Sequence, residues 1–301
     1  MKIIISGSSG LVGTALVAHL TGAGHEVVRL MRGSADPAAG EALWDPGRRQ
    51  LDPAVLSGAD AVVNLNGRNI GAGRWSDSVK AELRSSRLDS TCTIAAAIRA
   101  ADKPPTLLVN ASASGYYGDR GDEELDESSG AGSGFLADLC RDWEAAATTA
   151  ASERTRVVMM RLGMVIAGDG GALEKMLLPF KLGLGGRIGS GRQFWPWISL
   201  ADVPGAVDFA LGNQGLSGPV NLIAPQATRC SEFVDTLGSV LHRPTVLPLP
   251  AFAARAALGE MADALLLAST RVRPRALETA GYAFKHPSLE QALRVALENG
   301  V

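Results

Sequence analysis

The clearest chemical signal in the sequence is a run of three evenly spaced glycines, Gly7-Ser8-Ser9-Gly10-Leu11-Val12-Gly13. It follows Ile3-Ile4-Ile5, a β-branched run that predicts a buried parallel strand, and precedes residues with helical apolar spacing. Glycine permits a tight turn and lets backbone N–H groups approach a pyrophosphate at the helix N-terminus. The pattern therefore predicts a dinucleotide-binding loop; the alternative is an ordinary strand-to-helix turn. The residues expected beside the cofactor are Gly7, Ser8, Gly10, Leu11 and Val12.

The end of the second predicted strand, Arg29-Leu30-Met31-Arg32, bears on which dinucleotide binds. An acidic residue there usually binds the ribose hydroxyl of NAD, whereas arginine accommodates the 2′-phosphate of NADP. This segment has no acid and two guanidinium groups, which match phosphate oxygens in pairs. The segment predicts NADP(H) rather than NAD(H); the alternative is that both arginines are solvated surface residues.

Strands and helices alternate over the first two-thirds of the chain, which predicts an α/β fold with a Rossmann-type, doubly wound parallel sheet. After about Gly163 the loops become longer, and a smaller C-terminal substrate or lid region is expected. The predicted NADP-binding domain is 1–165, with 202–225 returning to it. The predicted lid region is 166–301, with a small helical domain from about residue 245.

Several short motifs of the sequence resemble those of the extended short-chain dehydrogenase/reductases. They are most similar to an atypical epimerase-family branch, labelled nucleoside-diphosphate-sugar epimerase-like or cell-division-inhibitor-like. The similarity covers nearly the whole chain. Besides the glycine loop it includes Asn64-Leu65-Asn66-Gly67-Arg68-Asn69-Ile70, Ser86-Arg87-Leu88, Gly115-Tyr116-Tyr117-Gly118, Trp143-Glu144-Ala145-Ala146 and Arg273-Pro274.

This resemblance implies further NADP contacts, which extend the site beyond the glycine loop. They are Met31, Arg32, Leu65, Asn66, Gly67, Glu82, Arg87 and Val165. For Glu82 and Arg87, spacing alone favours a solvated helix face instead.

The resemblance also implies a Tyr-x-x-x-Lys pair on the helix after the active-site strand, because one helical turn places both side chains on one face. The pair is absent. The three tyrosines are followed four positions later by Arg120, Gly121 and His286. Apolar residues hold the expected helical spacing, Phe135 with Leu139 or Leu136 with Cys140. The remaining catalytic candidates are Ser112, Ser114, Tyr116 and Tyr117.

Both candidate serines follow the strand predicted to end at Asn110, and turn capping is the alternative role for their hydroxyls. A second candidate segment, residues 189–197, combines flexible glycines with polar and aromatic side chains. It predicts either a pocket for a planar or anionic substrate or a packed corner between domains. Its candidate substrate ligands are Arg192, Gln193, Trp195 and Trp197.

Composition narrows the class of protein. Lys plus Arg total 29 and Asp plus Glu 31, so the net charge of −2 argues against general binding of nucleic acid or anionic membranes. Three widely spaced cysteines and four histidines predict neither a disulfide framework nor a metal site. No signal peptide or membrane span is expected, which predicts a cytoplasmic protein.

These observations predict an NADP(H)-binding, epimerase-like or oxidoreductase-like enzyme acting on a small or nucleotide-linked substrate. The complete cofactor half of the site motivates this hypothesis. The missing tyrosine–lysine pair motivates the alternative, a non-catalytic NADP(H)-binding redox sensor or regulatory protein. The sequence does not specify the oligomeric state.

Overall fold

The computed structural model describes residues 1–298. Its strands are β1 (Lys2–Ser6), β2 (Glu26–Met31), β3 (Glu41–Leu43), β4 (Ala61–Asn64), β5 (Leu107–Ala113), β6 (Glu124–Leu125), β7 (Arg156–Leu162), β8 (Met164–Ile166), β9 (Trp197–Ser199), β10 (Gly218–Leu222) and β11 (Arg271–Val272). Its α-helices are α1 (Leu11–Gly22), α2 (Pro53–Leu56), α3 (Asp77–Ala100), α4 (Phe135–Thr148), α5 (Gly171–Lys181), α6 (Asp202–Gly212), α7 (Cys230–Leu241), α8 (Ala251–Leu258), α9 (Glu260–Ala262), α10 (Arg275–Ala280) and α11 (Leu289–Glu298).

Seven strands form one parallel sheet in the order β3-β2-β1-β4-β5-β7-β10. The chain runs outward in one direction from β1 to β3 and in the other from β4 to β10. The order therefore reverses between β1 and β4, and open α/β sheets bind ligands outside the carboxyl ends of their strands at such a point. The predicted α/β fold with a doubly wound parallel sheet is confirmed.

Alternation along β1 explains how the sheet is covered on both faces. Ile3 and Ile5 enter a core with α1 and α6, whereas Ile4 enters a second core with α3. All three isoleucines are fully buried. Successive strand side chains point to opposite faces, so a continuous β-branched run stabilises a sheet only when helices cover both of them.

Close approach of α1 to the sheet depends on Gly13. A Cβ on this residue would lie 2.1 Å from the carbonyl oxygen of Gly7 and 2.8 Å from the Cα of Ser8. No larger residue can occupy the position without moving the helix away from β1.

A buried polar network joins the ends of β1 and β4 to the middle of β5. The side-chain oxygen of Asn64 accepts from Ser6 Oγ at 2.6 Å, and its Nδ2 donates to Thr91 Oγ1 at 2.9 Å and Asn110 Oδ1 at 2.7 Å. The Trp143 indole donates to the same threonine at 2.8 Å. Hydrogen bonds of this kind satisfy buried polar groups, and this set fixes β1, β4 and β5 against α3 and α4.

A third core lies outside the main sheet, where α5, α7 and α11 pack with β8 and β9 around Trp195 and Trp197. The described residues after 245 divide between cores: Leu277 joins the first, and Leu289 and Leu293 join the third. Helix α6 covers the main sheet, and β10 lies at its edge. The domain boundaries themselves stay a prediction.

Two strands are longer than predicted. β5 continues past Asn110 through Ser112 to Ala113, and β7 continues past Met160 to Leu162. The two strands pair along this whole length, from Leu107 with Arg156 to Ala113 with Leu162. Ladder hydrogen bonds thus extend both strands beyond their apolar runs, which the sequence pattern could not reveal.

The packing at Gly13 predicts a large difference between two glycines of one helix. Gly13→Ala is expected to lower the free energy of unfolding by about 1–3 kcal/mol, because its methyl group overlaps backbone atoms. The matched control is Gly22→Ala at the end of α1, where a Cβ would meet nothing within 4 Å. It should leave stability unchanged or raise it by up to about 1 kcal/mol. Urea denaturation followed by circular dichroism measures both; equal effects would contradict the packing argument.

Candidate functional site

The glycine loop connects β1 to α1 beside the end of β4. Gly7 has φ of +70°, and a Cβ there would lie 2.8 Å from the carbonyl carbon and oxygen of Leu65. The Gly10 N–H donates to the Gly7 carbonyl at 3.2 Å, which closes the turn. The structure therefore brings together two segments predicted separately, the glycine run and the residues after β4.

The N-terminus of α1 opens toward this edge of the sheet. Gly10 occupies the N-cap position without a side-chain hydrogen bond, and the first turn contains no acidic residue. The first N–H groups of a helix have no intrahelical acceptor and carry partial positive charge. Backbone groups at Leu11 and Val12, with the largely buried Ser8 preceding them, thus form a cradle suited to a pyrophosphate.

Three apolar residues predicted to contact the cofactor come from different elements. Val12 of α1, Leu65 after β4 and Val165 of β8 are all half-buried and pack against the same core. Gly170, just before α5, lies against Leu11, since a Cβ there would be 3.4 Å from the leucine Cδ1. One core thus supports all three predicted cofactor residues and leaves each of them partly exposed.

The two arginines of the second strand have different surroundings. Arg29, within β2, pairs with Glu41 of β3 at 2.9 Å, so its guanidinium is already neutralised. Arg32 follows β2 directly after Met31 and is exposed. The sequence predicted that both guanidinium groups could accommodate a 2′-phosphate. Only the Arg32 guanidinium lies at the strand end, so the prediction is corrected for Arg29.

The candidates between β4 and α3 form a tethered turn. The Asn66 N–H donates to Asn64 Oδ1 at 3.3 Å, and its side-chain amide donates to the Ser86 carbonyl of α3 at 3.4 Å. A Cβ on Gly67 would lie 3.3 Å from the guanidinium carbon of Arg87. The turn therefore packs directly on the long helix.

Glu82 and Arg87, both on α3, differ in burial. Glu82 is exposed and pairs with Arg68 of the preceding loop. Arg87 donates to the Leu83 carbonyl at 3.0 Å and lies 5.1 Å from the Trp143 ring. Burial lowers the pKa of the Arg87 guanidinium from its ordinary value. The alternative prediction, that these residues lie on a solvated helix face, therefore describes Glu82 better than Arg87.

Two of the four catalytic candidates have hydroxyls that are already hydrogen-bonded inside the protein. Ser112 is buried within β5, and its hydroxyl donates to Glu144 Oε1 at 2.6 Å. Tyr117 is completely buried and donates to Asn221 Oδ1 at 2.7 Å. These contacts give both hydroxyls structural roles, because neither faces solvent. Ser114 and Tyr116, half-exposed in the turn after β5, keep accessible positions at the sheet edge.

A buried ion pair lies behind that turn, and the sequence did not identify it as a site. Arg161 of β7 donates through Nε and Nη2 to the two carboxylate oxygens of Glu144, each at 2.8 Å. Its Nη1 donates to Tyr117 Oη at 2.8 Å, and its guanidinium carbon lies 3.5 Å from the Tyr116 ring. The available signal was an arginine inside an apolar strand, since buried charges require a partner.

Burial sets the protonation of this cluster. It raises the pKa of Tyr117 to about 12, although the facing Arg161 acts in the opposite direction. Burial alone would lower the pKa of Arg161, but the Glu144 carboxylate raises it above its ordinary value. Burial also raises the pKa of Cys140 to about 12. At neutral pH the phenol and thiol keep their protons and the guanidinium stays charged.

Aromatic side chains mark the place on α4 where the tyrosine–lysine pair would lie. Phe135, the first residue of α4, packs edge-on against Trp75 with ring centroids 5.3 Å apart. The Lys80 ammonium lies 5.5 Å from the same ring and pairs with Glu260 of α9. Leu139, one turn further along α4, is buried, and so are Leu136 and Cys140 of the alternative spacing.

The predicted substrate segment is mostly core. Gln193 donates to the Ile188 and Leu266 carbonyls at 3.0 and 2.9 Å, and Trp195 donates to the Leu266 carbonyl at 3.0 Å. Trp197 is fully buried, and its indole donates to Thr228. These side chains form the packed corner that was the alternative prediction, because their polar atoms are already satisfied. Of the four candidate ligands, Arg192 alone is exposed.

Within residues 1–298, no cluster of three or more His, Cys, Asp or Glu side chains is arranged to hold a metal ion. In the same range, no helix combines the length and apolar composition needed to cross a membrane.

Comparisons with known proteins place these features in a family. A sequence model described as the NAD dependent epimerase/dehydratase family matches residues 3–223, and a domain of unknown function, DUF1731, matches residues 249–296. Epimerase family protein MT2273 of Mycobacterium tuberculosis is 47% identical over 98% of this chain and 97% of its own length. Epimerase family protein SDR39U1 of Homo sapiens is 38% identical over 98% of this chain and 99% of its own.

Solved structures agree with the sequence comparison. The crystal structure of human epimerase family protein SDR39U1 (isoform2) with NADPH superposes with a TM-score of 0.92 at 37% identity, covering 99% of this chain and 100% of that one. The nucleoside-diphosphate sugar epimerase from Corynebacterium glutamicum gives 0.80 at 34% identity, covering 99% of this chain and 58% of that one. The resemblance found in the motifs is thereby confirmed. The chain belongs to the NAD dependent epimerase/dehydratase family.

Proposed function

We propose that this protein binds NADP(H) at the carboxyl edge of the main sheet and uses it in an oxidoreductase or epimerase-like reaction. The observation that carries the proposal is the cradle at the glycine loop, where Gly7 packs against the Leu65 backbone and Gly10 leaves the N-terminus of α1 uncapped. The bound NADPH in the human SDR39U1 crystal structure, at 37% identity, supports the same assignment.

The preference for NADP(H) over NAD(H) is assigned to Arg32. It follows the last residue of β2, where an acidic side chain would bind the ribose hydroxyl of NAD. Its exposed guanidinium has the fork geometry that binds phosphate oxygens in pairs. Arg29 contributes little to this preference because Glu41 already neutralises it.

The reaction proposed is hydride transfer to or from a small or nucleotide-linked hydroxyl or carbonyl compound. NADP(H), when bound, supplies or accepts the hydride. The accompanying proton is assigned to the accessible hydroxyls at the end of β5, Tyr116 first and Ser114 second, since Ser112 and Tyr117 are used inside the protein. Arg161 holds the Tyr116 ring by stacking on its face.

A second candidate function is favoured by the residues on α4. Neither of the two possible spacings for the family's proton-transfer pair, Phe135 with Leu139 or Leu136 with Cys140, provides a hydroxyl or an ammonium. A protein with this site can bind NADP(H) without turnover and report the ratio of its oxidised and reduced forms to a partner.

The cofactor assignment predicts that Arg32→Ala weakens NADPH binding by about tenfold, the effect of one charge-assisted hydrogen-bonding group at an exposed position. Binding of NADH should be unchanged, because NADH lacks the 2′-phosphate. Isothermal titration calorimetry measures both. Arg154→Ala, an exposed arginine that precedes β7, is the matched control and should bind NADPH normally. Equal loss of NADPH and NADH affinity would overturn the role of Arg32.

The catalytic assignment predicts NADPH oxidation with at least one compound in a panel of carbonyls and nucleotide sugars. For that compound, Tyr116→Phe is expected to lower kcat by about a hundredfold or more, the usual contribution of a positioned proton donor. Ser114→Ala should have the smaller effect. Tyr282→Phe, which removes a hydroxyl that donates to the Asp202 carbonyl, is the control. NADPH binding without turnover across the panel would favour the non-catalytic function instead.

A further inference from the structure

Seven large apolar side chains are exposed on α5, on the segment that follows it and on the segment that leads into α8 and includes its first turn, and we call this set the apolar ridge. Monomeric proteins rarely expose a contiguous apolar patch of this extent without a function. Val246 and Phe252 are 75% and 74% exposed, and Leu178 is 67% exposed. The ridge consists of Leu178, Leu182, Leu184, Val246, Leu247, Leu249 and Phe252.

Backbone hydrogen bonds make the ridge one continuous structure. The Leu247 N–H donates to the Gly185 carbonyl at 3.2 Å, and the Leu249 N–H donates to the Arg187 carbonyl at 2.9 Å. A Cβ on Gly186 would lie 1.9 Å from the Leu247 carbonyl oxygen, so the two segments are in direct contact. The end of α5 and the chain entering α8 are thereby held side by side.

The segment 246–250 is uncovered on both sides. The hydrogen bonds from residues 247 and 249 are spaced as in a strand, in which successive side chains point to opposite sides. All residues from 246 to 250 are nevertheless exposed, so no other element covers either side of the segment. A segment exposed in this way does not provide the groove in which an amphipathic helix of a partner binds.

The surroundings of the ridge are basic. On α5 and the segments 182–189 and 243–252, the only acidic residue is Glu174. Asp235 of α7 also approaches and accepts a hydrogen bond from Thr245. Within residues 1–298, none of the four cations of these segments forms an ion pair with an acidic side chain. These cations are Lys175, Lys181, Arg187 and Arg243.

We propose that the apolar ridge docks on an anionic lipid surface. Exposed leucine, valine and phenylalanine side chains suit the boundary between headgroups and acyl chains, and cations without acidic partners suit anionic headgroups. A second copy of the chain is disfavoured because the two basic surroundings would repel each other. The net charge of −2 predicted no membrane partner, but it averages over the whole chain, whereas this face is locally positive.

This inference is independent of the proposed function. It uses none of the residues assigned to the cofactor or to proton transfer. The ridge does share α5 with the candidate site, since the start of that helix packs near Leu11 and its end carries Leu178 and Leu182. Docking would therefore hold the cofactor crevice at a fixed distance from the lipid surface.

Flotation of the purified full chain with vesicles tests the proposal. Vesicles of phosphatidylcholine and phosphatidylglycerol in equal amounts should bind the protein, and vesicles of phosphatidylcholine alone should bind at least about tenfold less. Added salt should weaken binding to the mixed vesicles. Failure to bind the mixed vesicles, or equal binding to both kinds, would overturn the proposal.

Two double variants separate the apolar and basic contributions. Val246→Ser with Phe252→Ser and Lys181→Gln with Arg187→Gln are each expected to reduce vesicle binding by about tenfold or more. Leu43→Ser, an exposed leucine of β3, and Arg154→Gln are the matched controls and should bind normally. Circular dichroism checks that all variants fold.

Light scattering distinguishes docking on lipid from association of two copies of the chain. The proposal expects that the apolar double variant leaves the molar mass in solution unchanged. A dimer of the natural chain that this variant converts to monomer would assign the ridge to a second copy and overturn docking on lipid.

Discussion

The buried Arg161–Glu144 ion pair constrains the whole edge of the sheet where chemistry is expected. A guanidinium inside a β-sheet is tolerated only when its charge and its N–H groups are satisfied, and breaking such a pair typically costs about 3–5 kcal/mol. Ser112, Tyr117 and Glu144 are all held by this requirement. Hydroxyls that suggest catalysis in the sequence therefore stabilise a fixed charge in the structure.

The glycine loop and its packing could be predicted because their determinants are local. Gly7, Gly10 and Gly13 are needed by the geometry of one turn and one helix, and that need is visible at fixed spacing in the chain. The β-branched run of β1 and the regular alternation of elements similarly specify the sheet. Backbone groups supply most of this loop, so side-chain surroundings matter less there.

The rest of the candidate site depends on contacts between distant residues. Trp195 and Trp197 have the composition of a binding pocket, but α7, α11 and the residues near 266 cover them. Ser112 lies in a polar stretch, yet pairing with β7 draws it into the sheet. Arg29 pairs with a glutamate on a strand too short to predict from its pattern. Each of these outcomes was determined by a partner far away in sequence.

The residues on α4 make the missing lysine the harder of the two losses to reverse. For the spacing Phe135 with Leu139, the tyrosine position is half-exposed beside Trp75. For the spacing Leu136 with Cys140, both positions are buried. The lysine position is therefore enclosed at either spacing, at Leu139 or Cys140, and a lysine there would lose its hydration in the core. Restoring the family's usual proton transfer would require rebuilding the core around α4, so exchanging two side chains would not be enough.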